Sequence, residues 1–113
     1  MTTIFGRIIA GEIPCTKVYE DDMVLAFDDV SPQAPVHVLI IPKQALINLN
    51  DVDKSHEALL GRLLSTVRVV AEKKGIAAGG YRVVMNNGEN GGQSVYHMHL
   101  HVLGGRPLSW PPG

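Results

Sequence analysis

Residues 97–103, His-Met-His-Leu-His-Val-Leu, alternate histidine with apolar side chains and decide how this part of the chain folds. Side chains alternate faces along a β-strand, so an extended segment would place the three histidines on one face. The apolar residues, with Tyr96, would form a buried stripe on the other face. In a helix, at about 100° per residue, His99 would point away from His97 and His101. The alternation therefore predicts a half-buried strand that carries a row of three imidazoles.

Three interpretations of this row are open. It could be the exposed polar face of an edge strand. It could hold a metal, since three histidines and a water form a catalytic zinc site, although same-face residues roughly 6.5–7 Å apart are widely spaced for one ion. It could also act on phosphorus, because a neutral imidazole is a nucleophile near pH 7 and its neighbours can neutralise phosphate oxygens.

The segment before the histidines favours the phosphorus chemistry. Residues 86–96 read Asn-Asn-Gly-Glu-Asn-Gly-Gly-Gln-Ser-Val-Tyr. Glycines let backbone N–H groups approach an anion closely, and Gln93 and Ser94 add neutral donors. Asn87-Gly88 is also a turn signal, so a plain hairpin loop is the alternative. Beside the histidines, the composition of this loop predicts a phosphate site.

Length and composition fit one small domain, residues 1–113. Ten basic and eleven acidic residues, without a long run of either, give no reason to expect binding to nucleic acid or to a membrane surface. Cys15 is the single cysteine, so no internal disulfide can form, which fits a reducing compartment. No signal peptide or membrane-spanning stretch is visible, and we expect a cytoplasmic protein.

The order of patterns along the chain predicts an α+β fold, with a mainly antiparallel five-stranded sheet, one long helix and a short N-terminal helix. The expected short helix is 5–10, and the expected strands are 17–20, 23–27, 36–41, 81–86 and 95–103. The long helix should begin near Asp53 or Ser55, carry Lys73 and Lys74 in its last turn and end at Gly75. Its expected apolar face comprises Leu60, Leu63, Leu64, Val67, Val70 and Ala71.

The whole chain from residue 4 onward resembles the histidine triad (HIT) superfamily and, within it, the Hint branch of purine nucleoside phosphoramidases. The alternating segment 97–103 matches the triad signature of that superfamily. The other matching stretches are Ile4-Phe-Gly, Glu12-Ile-Pro, Ala26-Phe27, Ser31-Pro-Gln-Ala-Pro35, Ile41-Pro-Lys43, Gly91-Gly-Gln-Ser-Val-Tyr96 and Trp110-Pro-Pro-Gly113.

This resemblance implies a hydrolase that needs no metal or other cofactor. Its substrates would be purine nucleoside 5′-phosphoramidates, such as adenosine 5′-phosphoramidate or aminoacyl and lysyl adenylate conjugates. His99 would attack phosphorus and become a nucleotidyl-histidine, and His101 would contact the phosphate. His97 and His37 would orient the nucleophile, and Ser94 would contact the leaving-group atom. The resemblance also implies a homodimer whose sheets join across the interface.

The resemblance assigns the nucleoside end of the site as well. Asp29 would bind the ribose hydroxyls, although its place before Ser31-Pro32 equally fits an Asx turn. The expected contacts near the phosphate are Asn86, Gly92 and Gln93, and Trp110 would lie near the partner's site or anchor the tail. The expected purine pocket is formed by Ile4, Phe5, Ile8, Ile13, Phe27 and Val30, residues that are individually more often core.

Two other functional classes stay open on the sequence. One is a metal-binding protein or metal enzyme built on the three histidines. The other is a nucleotide-binding interaction module in which hydrolysis is incidental.

Overall fold

The computed structural model describes residues 2–113 and shows a five-stranded antiparallel sheet with one long helix packed against it. The strands are β1 (Lys17–Glu20), β2 (Val24–Asp28), β3 (Val36–Pro42), β4 (Tyr81–Val84) and β5 (Leu100–Gly104), and the helices are α1 (Ile4–Ile9) and α2 (Glu57–Lys73). Spatial order is β1-β2-β3-β5-β4 with every pair antiparallel. The predicted α+β class is confirmed.

Local hydrogen bonds explain where several elements begin and end. The Asp21 carboxylate accepts the backbone N–H groups of Met23 and Val24, which closes the tight turn between β1 and β2. Asp53 forms a capping box with His56 in a short 3₁₀ turn that leads into α2. Gly75 terminates that helix. Its φ of +72° is a backbone conformation that residues with a Cβ rarely adopt.

The two faces of the sheet are covered by different helices. Val38, Ile40 and Val102 pack with the buried side of α2, while the alternate residues Leu39 and Ile41 pack with α1. The second cluster is completed by Phe5, Leu25 and Phe27. Because His37 has the same parity as Leu39 along β3, its side chain lies on the α1 face. The functional groups therefore gather beneath the short N-terminal helix.

The predicted strand over residues 95–103 is wrong in its first half, because only Leu100–Gly104 pairs as a strand. The N–H of Met98 donates to the carbonyl of Leu46 in the loop after β3 rather than to a sheet neighbour. Met98, Leu100 and Val102 are buried as expected, but Tyr96 is 46% exposed and does not continue the stripe.

Smaller differences concern boundaries and helix phase. β4 ends at Val84, two residues before its predicted end, and α1 begins one residue earlier than expected. On α2 the buried side includes Leu59 and Thr66, whereas Leu64 is 62% exposed. Thr66 tolerates burial because its hydroxyl donates to the carbonyl of Arg62 at 2.6 Å. None of the helices in residues 2–113 combines the length and apolarity needed to cross a bilayer.

Candidate active site

His99 lies immediately before β5, and its ring is held in one tautomer. Its Nδ1–H donates to the carbonyl of His97 at 2.7 Å, which leaves the lone pair on Nε2. The ring packs edge-on against Phe5, with 5.0 Å between ring centroids. Burial lowers the pKa of His99 below its ordinary value, so the imidazole is neutral at pH 7. A buried, neutral imidazole with a free lone pair is chemically suited to attack an electrophile.

His101 on β5 and His37 on β3 form a directed chain of hydrogen bonds. The backbone N–H of Gln33 donates to His37 Nδ1 at 3.0 Å, so the proton of His37 is on Nε2. His37 Nε2 contacts His101 Nδ1 at 2.8 Å and is the donor in that pair. His101 must then carry its proton on Nε2, a buried atom without a hydrogen-bond partner among the described residues. The chain thus ends in an unused N–H donor, which can serve a phosphate oxygen.

The electrostatics of His101 agree with this arrangement. Burial, followed by the nearby rings of His99 and His37, lowers the pKa of His101 to about 4. The rings of His99 and His101 lie 5.0 Å apart between centroids. A lone-pair nitrogen and an N–H donor are therefore presented by neighbouring rings, both neutral at pH 7.

The ring of His97 is hydrogen-bonded to the backbone. Its Nε2–H donates to the carbonyl of Pro42 at 2.8 Å, and burial lowers its pKa. Pro42 is the last residue of β3, so this bond ties the approach to β5 onto the end of its neighbouring strand. Since the carbonyl of His97 orients His99, the side chain of His97 fixes the ring of His99 indirectly.

Asp29, just beyond β2, has two contacts. One carboxylate oxygen accepts the backbone N–H of Ser31 at 2.8 Å, which is the Asx turn that the sequence suggested. The other lies 3.4 Å from His37 Nε2. The carboxylate therefore borders the histidine cluster, where it is exposed enough to accept further donors.

A cavity of about 300 Å³ opens beside His99 and is mainly apolar in its lining. Its size is at the lower end of the range for small-molecule sites. The structure brings most of the predicted site residues to this cavity, namely Ile4, Phe5, Ile8, Ile13, Phe27, Asp29, Val30, Ser94 and His99. Sequence reasoning missed Pro14, Cys15, Asp28, Leu39 and Val95, which also line it. Pro14, Asp28 and Val95 directly follow predicted residues in the chain and Cys15 follows Pro14, and this adjacency was the available signal.

Seven predicted residues lie outside the cavity lining, namely the histidines described above (His37, His97 and His101) and Asn86, Gly92, Gln93 and Trp110. Gln93 is buried, and its amide is used within the protein: it donates to the carbonyls of Ile47 and Val95 and accepts from Asn48 and Gly88. Asn86 is partly buried, Gly92 is exposed with φ of +78°, and Trp110 is 80% exposed. Gln93 thus holds the loop before His97 in place. The sequence shows only that its amide can donate and accept hydrogen bonds, and not that the partners lie within the protein.

The side chains placed closely enough to bind one metal ion are not the three triad histidines together. Asp29, His37 and His101 each offer one ligand atom, all within 4.8 Å of one another. However, the 2.8 Å between His37 Nε2 and His101 Nδ1 is a hydrogen bond, and two nitrogens on one zinc at about 2.0–2.1 Å each need more separation. His97 and His99 direct a ring nitrogen at backbone carbonyls instead. The donor set as folded does not fit a zinc ion without rearrangement.

The α+β fold, the buried imidazole of His99 and the adjoining apolar cavity together define a protein with a histidine-lined cavity of small-molecule size. Comparison with known proteins names the family. The HIT domain family model matches residues 10–108, and the chain belongs to the HIT family.

Individual relatives agree with that placement. The chain is 55% identical to "Purine nucleoside phosphoramidase" of Escherichia coli (strain K12) over 106 residues, which is 94% of this chain and 89% of that protein. It is 54% identical to the "14 kDa zinc-binding protein" of Brassica juncea over 113 residues, covering 98% and 99% of the two chains. The crystal structure of a HIT family hydrolase from Legionella pneumophila Philadelphia 1 superposes with a TM-score of 0.95 at 49% identity, covering 97% and 98%.

Proposed function

We propose that this HIT-family nucleotide hydrolase cleaves the P–N bond of purine nucleoside 5′-phosphoramidates through a covalent intermediate on His99. The observation that carries the proposal is the tautomer of His99, whose Nδ1–H is bonded to the carbonyl of His97 while the ring lines the cavity. The lone pair of Nε2 is thereby free to attack phosphorus. Identity of 55% to the E. coli purine nucleoside phosphoramidase supports this substrate class.

The reaction proceeds in two displacements at phosphorus. In the first, His99 Nε2 forms a bond to phosphorus, and the P–N bond breaks with its electron pair left on the amine nitrogen. An amine leaves poorly as an anion, so the nitrogen must gain a proton as the bond breaks, and we assign the hydroxyl of Ser94 on the cavity wall to deliver it. In the second, water attacks phosphorus, the bond to Nε2 breaks, and the nucleoside monophosphate is released. The proton that water loses in the second displacement restores the hydroxyl. His99 regains its lone pair.

We assign the unused Nε2–H of His101 to stabilise the negative charge that develops on the phosphoryl oxygens. Its Nε2–H costs no reorganisation at the moment of reaction, because His37 and the Gln33 N–H already fix its tautomer. Asn86, Gly92 and Gln93 stay predictions near the phosphate. Since the Gln93 amide is used within the protein, we expect it to act by holding the loop.

The nucleoside is proposed to fill the apolar cavity. We assign the purine to apolar side chains of α1 and β2, in particular Phe5 and Phe27, and the ribose hydroxyls to Asp29. The carboxylate of Asp29 retains acceptor capacity beside its Asx turn. We also propose a homodimer in which Trp110, exposed in the single chain, lies near the partner's site. A cytoplasmic location is proposed from the single free cysteine.

Metal binding is the second candidate function, because two relatives are named zinc-binding proteins and the side chains of Asp29, His37 and His101 gather at one point. An ion there would have to separate His37 from His101. It would then remove the oriented donor that the phosphoryl oxygens require. The two functions therefore predict opposite responses to a chelator.

Hydrolysis of adenosine 5′-phosphoramidate by the purified chain, with and without EDTA, tests the proposal. We expect turnover that survives EDTA, disappears in His99→Ala, and persists in His56→Ala, which removes a histidine outside the cavity. Quenching in alkaline denaturant, where a P–N bond to imidazole survives, and mass measurement during turnover should trap an adenylylated chain that His99→Ala does not form. Loss of turnover in EDTA would favour the metal enzyme, and nucleotide binding without turnover would favour the interaction module.

A further inference from the structure

Among residues 2–113, neither the lining of the cavity nor the histidine cluster includes a lysine or an arginine. Basic side chains on the flanking elements are bonded elsewhere: Lys74 pairs with Asp28 at 2.7 Å, Lys43 with Glu20 at 2.8 Å and Arg7 with Glu12 at 3.5 Å, and Arg106 donates to the carbonyl of Gln33 at 2.9 Å. Most phosphate sites use Lys, Arg or a metal to neutralise charge. This one offers neutral donors only.

The titratable groups around the phosphate position are few and can be named. They are His97, His99 and His101 along the approach to β5 and in it, His37 on β3, Asp28 and Asp29 at the end of β2, and Cys15 after α1. His37 and His101 each accept a hydrogen bond at Nδ1, which leaves one proton on each ring, and burial lowers the pKa of His97, His99 and His101. Asp28 is offset by Lys74, whereas Asp29 has no Lys or Arg partner among the described residues. Asp29 therefore adds a negative charge that no Lys or Arg among the described residues pairs with.

We propose that this site takes phosphorus centres that carry one negative charge and rejects those that carry two, so that the charge of the ligand both selects the substrate and expels the product. The inference rests on the proposed function and deepens it. Moving a dianion out of water costs about four times as much as moving a monoanion, because the cost grows with the square of the charge. Neutral donors beside Asp29 do not offset that difference, so the dianion binds poorly.

The reaction itself changes the ligand charge in the required direction. An N-substituted phosphoramidate of a nucleoside has one ionised oxygen on phosphorus. Hydrolysis replaces the nitrogen by a hydroxyl, and the resulting monoester has a second pKa of about 6. Near pH 7 the product therefore gives up a proton to water and becomes a dianion. Substrates of the class R–NH–PO₂⁻–O–nucleoside enter as monoanions, and the product is released as it ionises.

Binding of adenosine 5′-monophosphate (AMP) and adenosine 5′-sulfate, measured by calorimetry on the wild-type chain from pH 5.5 to 8, tests this rule. The sulfate ester has the same nucleoside and a tetrahedral group of similar size, but it keeps one charge across this range. We expect its affinity to stay constant. The affinity for AMP should match it near pH 5.5 and then fall by up to about tenfold per pH unit above pH 6 as the monoanion is depleted.

Each alternative result has a distinct meaning. AMP affinity that stays constant or rises with pH would overturn the charge rule. Parallel loss of affinity for both ligands would overturn it too, because a protein group would then be titrating. Turnover of adenosine 5′-phosphoramidate is scored in the same preparations: its absence would refute the proposed hydrolysis, while the two binding curves would still decide the charge rule.

Discussion

His97 and His99 differ in which ring nitrogen carries the proton, and in each case one backbone carbonyl makes the difference. Pro42 accepts from Nε2 of His97, whereas His97 itself accepts from Nδ1 of His99. A third backbone group, the N–H of Gln33, sets the tautomers of His37 and His101. Four chemically identical side chains are thereby placed in defined tautomers, and the proposed roles follow from them: His97 holds the backbone, His99 attacks phosphorus, His37 orients His101, and His101 donates to the phosphate.

Nitrogen-15 NMR of the histidine-labelled chain should detect these tautomers directly. We expect His99 as an Nδ1–H imidazole and His97, His37 and His101 as Nε2–H imidazoles at pH 7. On acidification, His97 and His99 should protonate below the ordinary value of about 6.5, and His101 near pH 4. Because the folded pKa of these groups is lowered, each is neutral and active above it. Turnover should thus keep its plateau to below pH 6.5.

His37→Leu is the variant that isolates the relay. It removes the donor to His101 Nδ1, so His101 should populate both tautomers while the His99 signal stays unchanged. Turnover should fall by about 10²-fold, the typical effect of losing one donor to a developing oxyanion. An unchanged His101 tautomer, or full activity in this variant, would refute the assignment.

At the level of elements, alternation predicted the sheet but not where strand pairing begins. Apolar periodicity follows burial, and Met98 is buried although its segment is not paired with β3. β3 ends at Pro42, whose carbonyl is taken by an imidazole, and the N–H of Met98 turns to Leu46. Such side-chain competition for a backbone acceptor depends on tertiary contacts, so residue order alone could not place it. By contrast, the family resemblance predicted most of the residues that line the cavity beside His99.

The loop before His97 depends on Gln93 in a way that a mutation can expose. The amide bridges the segments around Ile47 and Val95, so Gln93→Met would leave buried donors and acceptors unpaired. We expect a loss of about 1–3 kcal/mol in the free energy of unfolding, measured by urea denaturation. Faster hydrogen exchange at Gly88, whose N–H the amide accepts, should accompany it.

A binding role for Gln93 would produce a different result. KM for adenosine 5′-phosphoramidate would then rise while the urea midpoint stayed at the wild-type value. Ser94→Ala is the matched control, because the neighbouring side chain is exposed and has no hydrogen bond among the described residues. It should lower turnover of amine leaving groups without shifting the midpoint.

For the whole molecule, the two free edges of the sheet are unlike. β1 carries Lys17 and Glu20, which pair with each other at 2.7 Å and make that edge charged. β4 instead leaves Tyr81 and Val83 more than one third exposed. Natural proteins protect free edges with charge, and an apolar edge is normally covered. The proposed homodimer should therefore join through β4.

Light scattering on the purified chain at micromolar concentration, after size-exclusion chromatography, should give a molar mass of twice 12.2 kDa. Val83→Lys places a charge on the β4 edge, where two copies would bring like charges together, and we expect it to yield a folded monomer. Thr16→Lys, beside the β1 edge, should remain a dimer. A dimeric Val83→Lys with native circular dichroism would move the interface elsewhere, and a monomeric wild type would remove the dimer from the proposal.

If Trp110 completes the partner's site, the monomeric variant should also raise KM, a change that Trp110→Ala would reproduce within an intact dimer.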